Sequence, residues 1–236
     1  MANMIITCVW KMTGPLHIGS GLSRAGDIDQ MIRTDGNGKA VIPGDAIKGA
    51  VRQSSELLLR WLLHPQNLSY NFRDSFPDLP AIHRIFSPNE KGPFYRFSTP
   101  KLEYTNIMPI SSTAIKRPEN VAMDNSLRKI ENVTPEAKVT IKIEGENGCW
   151  NDPKSNDYND MLFLASAVAA TESIGGNKGT GLGKIKITEL ICKVDGTAQQ
   201  IDWNKIVPEL KKNTKRALSE HGIGAEKKDY IDQSSV

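Results

Sequence analysis

Five glycines fall within nine residues, Gly175 to Gly183, in the run Ile174-Gly-Gly-Asn-Lys-Gly-Thr-Gly-Leu-Gly-Lys184. An alanine-rich stretch from Asp160 to Thr171 precedes the run and reads as a helix. Ile185 to Val194 follows it and reads as a strand. The loop therefore joins a helix to a strand. A phosphate-binding Walker loop and a dinucleotide fingerprint both run from strand to helix, so both are excluded, and the Lys-Ser/Thr ending is missing as well. This glycine density permits close backbone approach, either to a polyanion held by exposed N–H groups or to packed neighbouring elements. Both readings stay open from the residues alone, with Lys178 as a flexible cation at the loop centre.

The rest of the 236-residue chain limits the fold further. Met4 to Met12 is rich in bulky and β-branched residues and reads as a strand. Residues 30–42 suggest a hairpin around the Asp35-Gly-Asn-Gly38 turn. The strongest helix follows, with Asp45 as the expected N-cap and Ile47, Val51, Leu58, Leu59, Leu62 and Leu63 on one face. Residues 64–100 are loop-rich, with a short helix over 79–86 and extended segments at 94–98 and 102–106. Residues 111–131 are polar and show neither helical nor strand periodicity. A stretch of that length is uncommon inside a domain and is often functional. Val133 to Ile143 alternates as a strand, and 145–159 reads as a turn-rich linker. A charged C-terminal helix is expected over 203–221, with a basic cluster at Lys211, Lys212, Lys215 and Arg216, followed by a flexible tail. The order indicates an α+β fold with an antiparallel sheet, of the ferredoxin-like kind with insertions. An open α/β sheet ranks lower because the expected hairpins are numerous.

Charge gives little direct guidance. The chain has 30 Lys+Arg and 27 Asp+Glu, a formal net charge of +3, so any polyanion site must come from local placement. Lys48 and Arg52 are spaced i,i+4 near the N-terminus of the main helix, where the helix dipole is already positive. An anion, phosphate above all, would suit that corner. A solvated helix face is the competing reading. Asp27 and Asp29, at i,i+2, could share a magnesium ion, or could simply serve a soluble loop; Asp35 lies in the turn beyond them. The histidines at 17, 64, 83 and 221 are dispersed and form no metal-ligand pair. The three cysteines, Cys8, Cys149 and Cys192, form no CxxC pair, so a thiolate zinc site and a disulfide framework are both unexpected. With no leader-like N-terminus and no apolar run near the roughly 20 residues a spanning helix needs, a cytoplasmic protein with no membrane role is expected.

Four stretches, in order, resemble one family. They are Leu16-His-Ile-Gly-Ser-Gly21, Ile42-Pro-Gly-Asp-Ala-Ile-Lys-Gly-Ala-Val-Arg52, Val133-Thr-Pro-Glu-Ala-Lys-Val139 and the glycine run 174–184. Together they are similar to the RAMP (repeat-associated mysterious protein) superfamily, most of all to the repeated backbone subunit of type III CRISPR effector complexes of the Csm and Cmr kind. The resemblance implies a modified RNA-recognition-motif core over 1–200. A thumb-like β-hairpin would be inserted at about 105–137, with a C-terminal helix and tail over 201–236. It also implies a subunit that binds CRISPR RNA and stacks with copies of itself or related RAMP subunits. Such a subunit works with the large and small subunits of the complex on a target single-stranded RNA. The RNA contacts it implies are His17, Gly19, Ser20, Lys48, Arg52, Arg117, Gly175, Gly176, Lys178 and Gly179. The family's acidic loop maps onto Ile28-Asp-Gln-Met-Ile-Arg-Thr-Asp35, with Asp29 as the cleaving residue and ligand of Mg²⁺ or another divalent cation, and Asp27 as its neighbour. Four positions depart from the family pattern: Asp45-Ala46 replaces two serines, Lys178 replaces an arginine, and Met31 replaces a common proline. A non-catalytic structural subunit and a stand-alone CRISPR RNA-processing endoribonuclease are the alternatives.

Overall fold

The computed structural model describes residues 2–63, 80–87, 94–103, 106–199 and Pro208. In chain order its elements are β1 (Ala2–Met12), α1 (Gly44–Leu63), α2 (Pro80–Phe86), β2 (Phe94–Phe97), β3 (Ile107–Ser112), β4 (Ile115–Lys116) and β5 (Val121–Ala122). There follow β6 (Arg128–Val133), β7 (Lys138–Gly148), α3 (Asn156–Ala169), a 3₁₀ turn at Lys178–Thr180, β8 (Ile185–Val194) and β9 (Thr197–Gln199). The C-terminal helix expected over 203–221, its basic cluster and the tail lie outside the described residues, Pro208 excepted.

Five strands form one antiparallel sheet in the order β2-β7-β1-β8-β9. β1 sits at its centre because one of its faces is apolar at every second position. Met4, Ile6, Cys8, Trp10 and Met12 are all fully buried, and the alternate residues are partly exposed. β7 supplies Val139, Ile141 and Ile143 to the same layer. α1 and α3 pack on that layer through Ile47, Val51 and Leu59 of α1 and Met161, Leu164, Ala165 and Val168 of α3. The path β1–α1–β2–β7–α3–β8, with β7 lying between β1 and β2, is split-βαβ connectivity. The α+β reading with an antiparallel sheet therefore holds.

Several boundaries differ from expectation for physical reasons. α1 begins at Gly44, so Asp45 lies inside the first turn instead of capping it, where its charge still favours the helix dipole. A Cβ on Gly44 would sit 2.3 Å from the Phe97 carbonyl oxygen, so only glycine lets the helix start this close to β2. α3 starts four residues earlier than expected because Ser155 caps it, its Oγ accepting from the Tyr158 N–H at 3.0 Å. The hairpin expected over 30–42 reduces to isolated bridges, Gly19 with Ile32 and Thr34 with Ala40, around the Asp35 turn. Residues 107–133, which contain the aperiodic polar stretch 111–131, form a two-stranded β-arm. β3 pairs with β6, and the short β4–β5 ladder lies toward the tip.

One buried ion pair ties α2 to α3. Arg84 donates to both carboxylate oxygens of Asp160, at 2.6 and 2.7 Å, and Asp160 is 1% exposed. Burial pushes the Asp160 carboxyl up to about 6 against the pull of the guanidinium.

Candidate nucleic-acid interface

The glycine run first serves packing. Gly175 and Gly183 both have positive φ, and a Cβ on them would sit 2.4 Å from the His17 carbonyl oxygen and 1.8 Å from the Ile174 carbonyl oxygen. The Gly176 N–H donates to His17 O at 2.9 Å and the Gly183 N–H to Pro15 O at 2.7 Å. The loop is thus clasped to residues 15–17, and two of its five glycines have no alternative there. Gly179 and Gly181 face open space. A tight connection therefore accounts for Gly175 and Gly183, and the 178–181 stretch remains available to a ligand.

His17 is buried at the centre of this clasp. Its Nδ1 lies 2.7 Å from the carbonyl oxygen of Glu131. A carbonyl only accepts, so Nδ1 carries the proton. The histidine thereby links the glycine loop to the root of the β-arm. Gly19 is exposed, with its Cα hydrogens facing His17 Nε2: a Cβ there would come within 3.3 Å. Ser20 is half-buried and donates through Oγ to the Met31 carbonyl at 3.1 Å.

The acidic loop meets the arm at one residue. Asp29 is exposed, and its Oδ2 accepts the Lys129 backbone N–H at 2.7 Å. The Asp29 N–H donates back to the Lys129 carbonyl at 2.9 Å. The Lys129 ammonium lies 3.7 Å from Asp27 Oδ1, and Arg24 lies 3.5 Å from Asp27 Oδ2. The Glu131 carboxylate accepts the Ile32 N–H at 3.0 Å. Both candidate carboxylates therefore stand at the junction of loop and arm. Lys129 and Glu131 escape a reading of local sequence, because each of these bonds spans about a hundred residues. Asp35 stands apart from the pair as a turn anchor. Its bond from the Lys101 side chain, then those from the Lys39 and Asn37 backbone, hold its carboxyl down to about 2. Its stabilising charge is thus present above the ordinary carboxylate range and is lost only as the pH falls through about 2.

The basic helix face lies beside the glycine loop. The Lys178 ammonium donates to Gln53 Oε1 of α1 at 3.0 Å, and partial burial pulls its pKa down. Arg52 is exposed and pairs with Glu56 at 3.1 Å, while Lys48 is half-buried one turn earlier. Arg117 is exposed in the turn between β4 and β5, so it stands toward the arm tip, away from the arm root. The arm also carries exposed Met108, Ile115, Val121, Met123 and Leu127. Exposed apolar side chains gathered on one element are typical of a contact surface.

The sequence profile of the RAMP superfamily matches residues 11–186. The chain belongs to the RAMP superfamily. The match covers the RAMP core from the end of β1 to the start of β8, including the acidic loop, α1, the arm and the glycine run. Among solved structures, the chain is similar to one in the type III-B Cmr-beta complex in its apo state, with a TM-score of 0.52 at 13% identity. That match covers 78% of this chain and 96% of the other. It is also similar to one in the type III-B Cmr-beta complex bound to cognate target RNA, with a TM-score of 0.51 at 13% identity. In that case 81% of this chain and 60% of the other are covered. At such identity the likeness establishes the RAMP fold. No curated protein matches the chain in sequence. Among the described residues no helix is long and apolar enough to cross a membrane.

Proposed function

We propose that this RAMP protein is a guide-RNA-binding subunit of a type III CRISPR complex that cuts bound target RNA at Asp29. The observation that carries the reading is the junction itself. The glycine loop, the Leu16–Gly21 segment, the acidic loop and the root of an exposed apolar arm are hydrogen-bonded into one unit. In this reading Lys48, Arg52 and Lys178 hold guide phosphates. The arm, inserted between bases, bends the RNA beside Asp29. Target single-stranded RNA pairs with the guide across that point, and copies of this chain or related RAMP subunits flank it, with the large and small subunits beyond.

For cleavage, Asp29 orients and accepts the proton of the 2′-hydroxyl, whose oxygen attacks the adjacent phosphorus while the 5′-oxygen leaves. The Lys129 amide holds the carboxylate in place. Asp29, beyond its bond from the Lys129 amide, and Asp27, in exchange for its ion pairs with Lys129 and Arg24, would be the hard oxygen donors that magnesium takes, and it commonly uses one or two carboxylates. Such an ion, when bound, would neutralise charge on the scissile phosphate. No group of three or more His, Cys, Asp or Glu side chains with metal-ligating geometry occurs among the described residues. The bond from the Lys129 amide to Asp29 supports a second reading, a structural subunit in which Asp29 only anchors the arm. Metal-dependent cutting by the wild-type complex separates the two.

The guide contact has its own test. Lys48→Glu combined with Arg52→Glu is expected to weaken RNA binding at least tenfold near 0.1 M salt. It should also reduce the slope of log affinity against log salt by about 1.4, roughly 0.7 for each lost phosphate contact. Fluorescence anisotropy with labelled RNA measures both. An unchanged affinity and slope would remove these two residues from the interface.

A further inference from the structure

The strand register places three lysines in one row. Lys11 of β1 pairs directly with Lys138 of β7 on one side and with Lys186 of β8 on the other. Directly paired residues project from the same face of a sheet, and like charges so placed repel. The face is the one opposite the core, since Lys138 and Lys186 are exposed and their strand neighbours Val139 and Ile185 are buried. Lys184, also exposed, stands two residues before Lys186. Three acids are near: Glu136 pairs with the Lys11 ammonium, Glu103 is bridged to Lys138 in the ladder, and exposed Glu189 pairs with Val9 on the same face, against the four lysines 11, 138, 184 and 186. Among the described residues Lys138, Lys184 and Lys186 make no ion pair. The corner therefore keeps an excess of positive charge that costs the fold stability.

Its position gives the charge a use. Lys11 leads into the 13–17 segment, Lys186 leaves the glycine run, and Lys138 follows the arm root. All three strands reach the interface at this end of the sheet. We propose that the Lys138–Lys11–Lys186 row is a second phosphate-contacting track for single-stranded RNA, continuous with the glycine loop. The inference rests on the RNA-binding reading above. The adjoining positions on that face, Val9, Thr140 and Glu189, offer no aromatic ring for base stacking. The row therefore contacts the backbone and is indifferent to sequence.

The test uses the full chain, a fluorescein-labelled oligo-uridine of about 20 nucleotides and Lys138→Gln combined with Lys186→Gln. Lys11 stays, so its pair with Glu136 is kept. The expected result is a Kd raised about tenfold near 0.1 M salt and a salt slope reduced by about 1.4. The thermal midpoint should be unchanged or higher, because repulsion is relieved. Wild-type affinity and slope in this variant, while Lys48→Glu with Arg52→Glu still weakens binding, overturn the row and leave the RNA-binding reading standing. Loss of poly-glutamate binding with RNA affinity intact overturns it in favour of an acidic protein partner. Absence of RNA binding by the wild-type chain at any salt overturns both readings.

Discussion

Asp29→Ala is expected to abolish target cutting at this subunit's position, by at least about 100-fold, the usual contribution of a positioned general base. Alanine also removes the acceptor for the Lys129 amide, so the loss alone would mix chemistry with anchoring. Asp29→Asn separates them. Its side-chain oxygen still accepts from Lys129, so the arm root stays seated, but the amide has no charge and takes no proton from a 2′-hydroxyl. The Asn variant should therefore assemble and bind guide like the wild type, yet fail to cut. The readout is the ladder of target fragments produced by the assembled complex with and without Mg²⁺. Wild-type cutting by Asp29→Asn would reduce Asp29 to an anchor and favour the structural reading.

The second large effect is on stability. Arg84→Met leaves the Asp160 carboxylate buried without its two charge-assisted bonds. Breaking a buried pair on one side costs about 3–5 kcal/mol. The pH dependence follows from the direction of the shift. Burial already raises the Asp160 carboxyl to about 6, and without Arg84 it rises further. The folded variant then binds a proton that the unfolded chain releases at ordinary carboxylate pH. Its deficit should shrink as the pH is lowered from about 7 towards 5. Urea unfolding at two pH values measures this, and Arg84→Met with Asp160→Leu should recover much of the loss. A single variant within about 1 kcal/mol of wild type at both pH values would mean that the pair holds little of the fold together.

The central sheet and main helices were legible because their apolar residues follow a period that burial enforces. Met4 to Met12 was marked by bulky and β-branched residues, every second one of which is core, and α1 carries Ile47, Val51 and Leu59 on its packed face. The arm was not legible as strands from pattern. β3 is exposed on both faces apart from the half-buried Ile110, so its sequence has no apolar side to alternate with. Only the family resemblance placed a hairpin there. The glycine run announced close approach, but which glycines meet backbone depended on residues 15–17, far away in sequence. His17 likewise read as an RNA contact, and the fold places it inside, bonded to Glu131. Asp29 and Asp27 were marked by the acidic loop. Their tie to Lys129 was hidden, because a pairing across a hundred residues leaves no local trace.

The most direct test of an RNA-binding role is whether the chain, purified from its host with its native partners, carries a short RNA. A guide-binding subunit predicts a nuclease-protected RNA of discrete length, released by high salt and lost in Lys48→Glu with Arg52→Glu. A stable complex containing the chain but no RNA, or only random fragments bound equally by that variant, would contradict it.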